Sequence, residues 1–541
     1  MPTIAALISL RIAFLFTWVF MAAMVTYGGV LLAKRDMQLN EQVALRPDVS
    51  VDRPVVLAGE AAPFFVLIRI DAADVIREPG DPRPSVNLGL VLDRSGSMAD
   101  VGKIDYLRKA AAMVVERLSV RDHLAIVEYD DVITVMWPSA PVESLTSINR
   151  LCAGLEPRGS TNLVGGMMRG ADEVLSRRRT LDDASTIHRV LLLSDGLANQ
   201  GVTDPREIAR LVRSVKSDGV RISALGLGRD YDENLMQAIA ENGGGNYYYV
   251  EHPSQMARIF ERELETLFTT VAKDVTLRFE PSAAVKSVQV LAIDADKELD
   301  ARNLDLDNFF AGESRTLLLR VETQPATLSV PVEDLELGRL NISYFDVASG
   351  RAEAFEQSVK VAVSNDADRV SQARNANVTV EAELIEAERR HSEVIALYES
   401  GQTDEADAQM QALELERTSN NEILNDSRLK TKIEALKVER SQMAAAAAAP
   451  EERSAYLKSS KQRLYQAQQG KRVLYSLNLG DKGIEVERLQ EALSAEGLYG
   501  GPVDGVYTAD VQAAVEAFQS REALAADGVA GPQTMEALGL Y

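Results

Sequence analysis

The chain has 541 residues, with 81 Asp plus Glu against 58 Lys plus Arg and a net charge of −23. A chain this acidic is repelled by phosphate backbones and anionic lipid, which argues against a general nucleic-acid binder. Its single cysteine, Cys152, excludes an internal disulfide and argues against a cysteine-built zinc site, and the length accommodates roughly three or four domains of about 150 residues.

Taken in chain order, the first feature is the run at residues 12–32, "IAFLFTWVFMAAMVTYGGVLL", which carries no charge and is flanked by Arg11, Lys34 and Arg35. At 1.5 Å per residue, about 21 residues span about 30 Å, the thickness of a bilayer core. A secretory signal has a shorter apolar run and a small-residue cleavage site, so an uncleaved membrane anchor over 1–35 is expected. The flanking charges do not fix its orientation.

Residues 46–84 begin as β structure, with "PFFVLIRI" following a turn-forming stretch. From Val86 the pattern alternates. Val86–Leu92 reads as a strand, Lys103–Leu118 as a helix, Leu124–Tyr129 and Ile133–Met136 as strands, and Ser144–Leu155 and Leu163–Arg178 as helices. "HRVLLLSDG" is an apolar strand that ends at Asp195. Helix Arg206–Ser217, strand "VRISALGLG", helix Asn234–Glu241, strand "NYYYV" and a closing helix Pro253–Val271 follow. Apolar runs alternating with helices predict a parallel sheet covered on both faces, over 85–271. Beyond it the period returns to two: Val275, Leu277 and Phe279, then "TLLLRV" and "NISYFDV". We expect 272–365 to form one β-sandwich with 46–84, because neither segment covers its own apolar face.

Residues 366–470 are charged and helical. "VIALYESGQTDEADAQMQAL" has a helix, a Gly break and a Thr–Asp–Glu helix start, like one tetratricopeptide-type hairpin, and the Ala-rich stretch from Met443 reads as a linker. The segment 474–541 carries helices at Ile484–Glu496 and Ala509–Arg521 and a short third one. Asp–Gly turns at Asp504–Gly505 and Asp527–Gly528 each precede a helix start.

The strand "LGLVL" runs straight into "DRSGSM". In an open parallel sheet ligands bind beyond the carboxyl ends of the strands. Asp93, Ser95 and Ser97 lie at such an end, Asp195 lies at another, and Thr161 of "GSTNL" stands at the head of a helix between them. Three segments thus deliver hydroxyls and carboxylates to one edge. As helix caps, single serines would be ordinary, but five polar residues from three loops are more than capping needs. A serine nucleophile lacks its context, since the motif is not G-x-S-x-G and none of His123, His188, His252 and His391 lies in these segments.

These motifs, in this order and context, resemble the von Willebrand factor type A (VWA) domain with its metal-ion-dependent adhesion site. The resemblance implies a doubly wound, mostly parallel sheet with one short antiparallel edge strand, expected at Ile133–Met136. It also implies a divalent cation, Mg2+ first with Mn2+ or Ca2+ as alternatives. Ser95 and Ser97 would bind it directly, Thr161 directly or through water, and Asp93 and Asp195 largely through water. Neutral hydroxyls leave such an ion electrophilic, so it seeks an anionic oxygen, expected from a partner protein's carboxylate.

"GDKGIEVERLQEAL", "GLYGGPVDGVYTADVQAAVEAFQ" and "DGVAGPQTMEAL" resemble the three-helix peptidoglycan-binding module of bacterial cell-wall enzymes. Peptidoglycan lies outside the cytoplasmic membrane, so the resemblance implies a single-pass inner-membrane protein whose bulk is periplasmic or otherwise extracytoplasmic. The expectation is a non-enzymatic binding or adhesion protein. The alternatives are an assembly or regulatory factor beside a MoxR-type ATPase, as related proteins of the family are, and a cell-wall hydrolase.

Overall fold

The computed structural model describes residues 43–60, 63–73, 83–181, 184–228, 231–250, 253–291, 303–324, 328–446 and most of 453–540. The expected anchor at 12–32 lies outside these residues. Among the described residues no helix is long and apolar enough to cross a membrane.

Three strands open the described chain: β1 (Leu45–Val51), β2 (Val55–Leu57) and β3 (Phe64–Ala72). The alternating region then runs β4 (Val86–Asp93), α1 (Lys103–Arg117), β5 (His123–Tyr129), β6 (Ile133–Pro141), α2 (Leu145–Ala153), α3 (Leu163–Arg178) and β7 (Ile187–Ser194). It continues through α4 (Pro205–Ser217), β8 (Arg221–Leu227), α5 (Glu233–Gly243), β9 (Gly244–Val250) and α6 (Met256–Phe268). Its six strands lie in the order β6-β5-β4-β7-β8-β9, with β6 alone antiparallel. This is the doubly wound α/β fold expected, although the edge strand runs on to Pro141 and the closing helix stops at Phe268.

All eight residues of β4 are buried, as a strand covered on both faces must be. Leu88, Leu90 and Leu92 pack with Leu107, Val114 and Phe260, so α1 and α6 lie on their side. Val91, Val190 and Leu192 pack with Val174, Ile208 and Ile239, so α3, α4 and α5 cover the other face. The chain therefore leaves the neighbouring strands β4 and β7 toward opposite faces, which opens a crevice at their carboxyl ends. One glycine sets a close approach there. A Cβ on Gly170 would lie 2.2 Å from Val91 Cγ2, so only glycine lets α3 rest directly on β4.

The strands β10 (Thr270–Pro281), β11 (Val285–Leu291), β12 (Leu304–Phe310), β13 (Ser314–Thr323), β14 (Val332–Asp346) and β15 (Arg351–Ser364) follow. They combine with the first three into two sheets, β1-β3-β13-β11 and β12-β10-β14-β15-β2. Strand β3 pairs with β13 from Phe64↔Val321 to Asp71↔Ser314. Phe64, Ile68, Leu277, Phe279, Leu340 and Val361 share one core between the sheets. The α/β domain is thus inserted into a β-sandwich whose two halves flank it in sequence.

The helical region holds α7 (Ala367–Gln372), α8 (Ala376–Glu399), α9 (Thr403–Leu424) and α10 (Ser427–Ala446). One hairpin was expected. Instead α10 covers the α8–α9 pair with Leu436 and Met443, and Tyr456, Leu457 and Leu464 add to the same core. The hairpin break itself falls at Gly401, whose φ is +87°. The short strand β16 (Lys471–Arg472) then pairs with Ser314 and Arg315 of β13, tying this region's exit to the sandwich.

The last module packs α11 (Ile484–Ala495), α12 (Ala509–Arg521) and α13 (Pro532–Ala537) around Leu489, Leu493, Val515 and Phe518. Buried amides organise the backbone at Asp504–Gly505 and at Gly528. The buried Gln490 amide accepts from the N–H groups of Asp504 and Gly505 and donates to the Val506 carbonyl. Gln519 does the same one turn later, accepting from Gly528 N–H and donating to Val529 O.

Candidate metal centre

The crevice between β4 and β7 collects the sequence-derived residues. Asp93, the last residue of β4, is fully buried. Its Oδ1 accepts the Ser95 backbone N–H at 2.8 Å, an Asx turn that bends the chain toward the serines. Its Oδ2 accepts the Ser194 hydroxyl at 2.8 Å and lies 3.3 Å from the Tyr129 hydroxyl. Burial and the neighbouring Asp195 carboxylate push Asp93 up to about 6.

Asp195 enters one residue past β7 and is equally buried. The Ser97 hydroxyl donates to its Oδ1 at 2.6 Å, and Ser95 Oγ lies 3.5 Å from the same oxygen. Ser95 Oγ and Ser97 Oγ are 3.1 Å apart. The other oxygen, Oδ2, accepts Lys103 Nζ at 2.7 Å.

Thr161 joins from the loop before α3. Asn199 Oδ1 accepts its N–H at 3.0 Å, and Asn199 N–H donates to its carbonyl at 3.3 Å. A Cβ on Gly196 would lie 3.3 Å from Thr161 Oγ1 and 3.7 Å from Ser97 Oγ, so both hydroxyls face the bare backbone of that glycine. Main-chain bonds pin the loops to one another. Gly96 N–H donates to Gly159 O and Arg158 N–H to Arg94 O, while Asn162 N–H donates to Asp130 O. The guanidinium groups of Arg94 and Arg158 both grip Asp130, at 2.9 and 2.7 Å.

All five residues singled out in the sequence therefore stand together, four of them in one connected network with Thr161 beside it. Sequence reasoning missed Ser194, Tyr129, Lys103 and Asn199. Ser194 sits inside the "LLSDG" motif and Lys103 opens the helix after "DRSGSM", so both were adjacent to the signal. Tyr129 and Asn199 reach the site only through the fold.

The donor set suits a hard dication. Six oxygens at about 2.1 Å from an ion put neighbouring oxygens about 3.0 Å apart, close to the Ser95–Ser97 separation. Among the described residues no cluster of three His, Cys, Asp or Glu side chains could hold a metal. The oxygens gathered here are the hydroxyls of Ser95, Ser97 and Thr161 and the carboxylates of Asp93 and Asp195.

Residues 87–262 match the von Willebrand factor type A domain, and residues 482–538 match the putative peptidoglycan binding domain. The chain carries a VWA domain. Among curated relatives, the uncharacterized protein YfbK of Escherichia coli K12 is 29% identical over 250 residues, covering 46% of this chain and 42% of that protein. The uncharacterized protein sll0103 of Synechocystis is 24% identical over 281 residues, covering 50% of this chain and 64% of that protein. Human inter-alpha-trypsin inhibitor heavy chain H4 is 27% identical over 207 residues, covering 37% of this chain and 22% of that protein. The matches thus span less than two thirds of each relative.

Two solved structures share the fold. The von Willebrand factor type A protein from Catenulispora acidiphila superimposes with a TM-score of 0.54 at 17% identity, covering 71% of this chain and 89% of that one. The ArnB paralog VWA2 from Sulfolobus acidocaldarius gives 0.50 at 16% identity, covering 78% and 98%. Such coverage exceeds the VWA segment alone.

Proposed function

We propose that this protein is a non-enzymatic binding protein of the bacterial cell envelope. In this reading the VWA domain captures a protein partner through a divalent cation, and the C-terminal module engages peptidoglycan. The paired VWA and peptidoglycan-binding domains support a protein-interaction role. The observation that carries the finer reading is the gathering of Ser95, Ser97 and Thr161 hydroxyls over the buried carboxylates of Asp93 and Asp195.

In this assignment Ser95, Ser97 and Thr161 hold Mg2+ or Mn2+, and Asp93 and Asp195 orient those hydroxyls. When bound, the ion supplies an electrophilic centre that takes an anionic oxygen, here a partner's carboxylate. Ser194 and the Ser95 N–H hold Asp93, and Asn199 holds Thr161, so the ligands are set before the partner arrives. His123 begins β5 and His188 is the second residue of β7, at the end of the sheet opposite the site, and His391 lies in α8; none of the three neighbours a serine of the site as a general base would. Residues 12–32 serve as the membrane anchor in this reading, with the remainder extracytoplasmic.

The test is a pull-down from envelope extract in Mg2+ and in chelator, with cosedimentation of the protein on insoluble peptidoglycan. The reading expects partners that chelator releases, and wall binding that chelator leaves intact but deletion of 474–541 removes. Partners retained equally in chelator would overturn the metal-dependent part. Sedimentation no greater than that of a control protein would overturn the wall-binding part.

A further inference from the structure

Lys103 is out of place by every local rule. It is the first residue of α1, where the helix dipole already concentrates positive charge, so a lysine there opposes the dipole. Its side chain is only 9% exposed, yet lysines are almost never buried unless paired. Among the described residues its partner is Asp195, whose Oδ2 takes the ammonium at 2.7 Å while Oδ1 takes the Ser97 hydroxyl at 2.6 Å. Gly228, just past β8, lies against the same ammonium, since a Cβ there would be 3.8 Å from Lys103 Nζ. The charge is therefore enclosed, and it is shared through one carboxylate with the very hydroxyl that faces the candidate ion.

We propose that Lys103 is an integral cation of this site that competes with the divalent ion for the charge of Asp195. It thereby holds intrinsic metal affinity down, so that firm binding requires the partner's anion. This rests on the metal-dependent reading above. The two buried carboxylates, Asp93 and Asp195, carry two negative charges if both are ionised, and Lys103 cancels one. A dication seated on Ser95, Ser97 and Thr161 then faces a net charge of one rather than two, with a like charge fixed on the far oxygen of the same carboxylate. Like charges at such range in a partly dry site repel strongly. An external carboxylate restores the missing negative charge, so metal and partner favour each other.

The rival role for Lys103 is simple positioning of Asp195, and the two roles predict opposite signs. Mn2+ affinity of the full chain is measured by calorimetry, without partner, for wild type, Lys103→Met, Lys103→Arg, Asp195→Asn and the Lys103→Met/Asp195→Asn pair. Competition expects Lys103→Met to bind Mn2+ about ten-fold tighter or more, Lys103→Arg to stay near wild type, and the gain to vanish on the Asp195→Asn background. Thermal unfolding in chelator reports folding of each variant. Lys103→Met loses stability there, because Asp195 is left without its cationic partner, and gains more from Mn2+ than wild type does. Unchanged or weaker Mn2+ binding by folded Lys103→Met, with wild type still binding, overturns the competition alone. Absence of Mn2+ binding in every variant overturns both the competition and the metal reading.

Discussion

At the base of the six-stranded sheet, Glu263 of α6 is fully buried and both of its oxygens are engaged. Ser223 donates to Oε1 at 2.5 Å, while Asn246 and Tyr248 donate to Oε2 at 2.8 and 2.6 Å, with Arg189 3.7 Å away. Burial and this carboxylate drive the Tyr248 hydroxyl well above its ordinary range. At the opposite end, Asp93 and Asp195 are just as buried, but besides Lys103, Tyr129 and the Ser95 N–H their partners include small serine hydroxyls that still have lone pairs to offer. A serine that donates its proton to a carboxylate keeps its oxygen free to accept or ligate. The same sheet thus closes one polar cluster on itself and at its other end keeps hydroxyl lone pairs available, as the proposed metal site requires.

That contrast is most directly broken by removing the base carboxylate. Glu263→Ala leaves Arg189 as a buried charge without its counter-ion and strands Ser223, Asn246 and Tyr248. Losses of about 3–5 kcal/mol are typical when one partner of a buried pair is removed. Urea unfolding of the folded fraction should show a loss in that range, while Mn2+ binding per folded molecule stays unchanged. A stability loss below about 1 kcal/mol, or a parallel loss of Mn2+ binding, would mean that the two ends are not independent.

A second test uses acid at the same base. Asp122 is buried just before β5, where burial alone would raise its pKa. The Arg83 guanidinium and the N–H groups of Ser119 and Val86 more than offset that, and hold it below the ordinary 3.8. Because its folded-state value is the lower one, Asp122 stabilises the fold fully above pH 3.8, and this contribution shrinks as pH falls below it. Asp122→Asn should therefore cost about 1–3 kcal/mol at pH 7. The gap from wild type should narrow as the pH falls below about 4. A gap that is constant with pH would show that the carboxylate charge contributes nothing there.

The α/β alternation was legible because period and strand composition report burial directly, and the five site residues were legible because three of them sit in one hexapeptide. Lys103 was in plain view and read only as a helix start, since nothing local says that its ammonium turns back toward Asp195. Tyr129 and Asn199 gave no signal, because their roles depend on strands and loops that meet only after folding. The α8–α9 hairpin was visible through the Gly401 break, but α10 was hidden. Its surface is so evenly charged that its apolar contacts, Leu436 and Met443, stand out only against the other two helices. The Gln490 and Gln519 clamps show the reverse case. The turn at Asp504–Gly505 was legible, yet the buried amides that hold it and Gly528 lie 14 and 9 residues upstream.

The smallest change in stability should accompany the largest change in binding, and Ser97→Ala is where the two separate. Ser97 is only partly buried, and its hydroxyl makes one short hydrogen bond, to Asp195 Oδ1. Removing it leaves Asp195 still paired with Lys103 and within 3.5 Å of Ser95 Oγ, so the carboxylate is not stranded. The expected cost is about 1 kcal/mol, the net worth of an ordinary hydrogen bond. In the proposed site, however, that hydroxyl is one of three oxygens that would hold the ion directly, and Asp195 has no other hydroxyl at 2.6 Å to orient. Metal-dependent partner capture should fall by at least the 10- to 100-fold seen when groups behind a metal's ligands are lost. Thermal unfolding and partner binding, each with and without chelator, decide it. A variant of near-normal stability that still captures its partner in a chelator-sensitive way would remove Ser97 from the site, and would leave its bond to Asp195 as a turn-stabilising contact of the same closed kind as the cluster at the base.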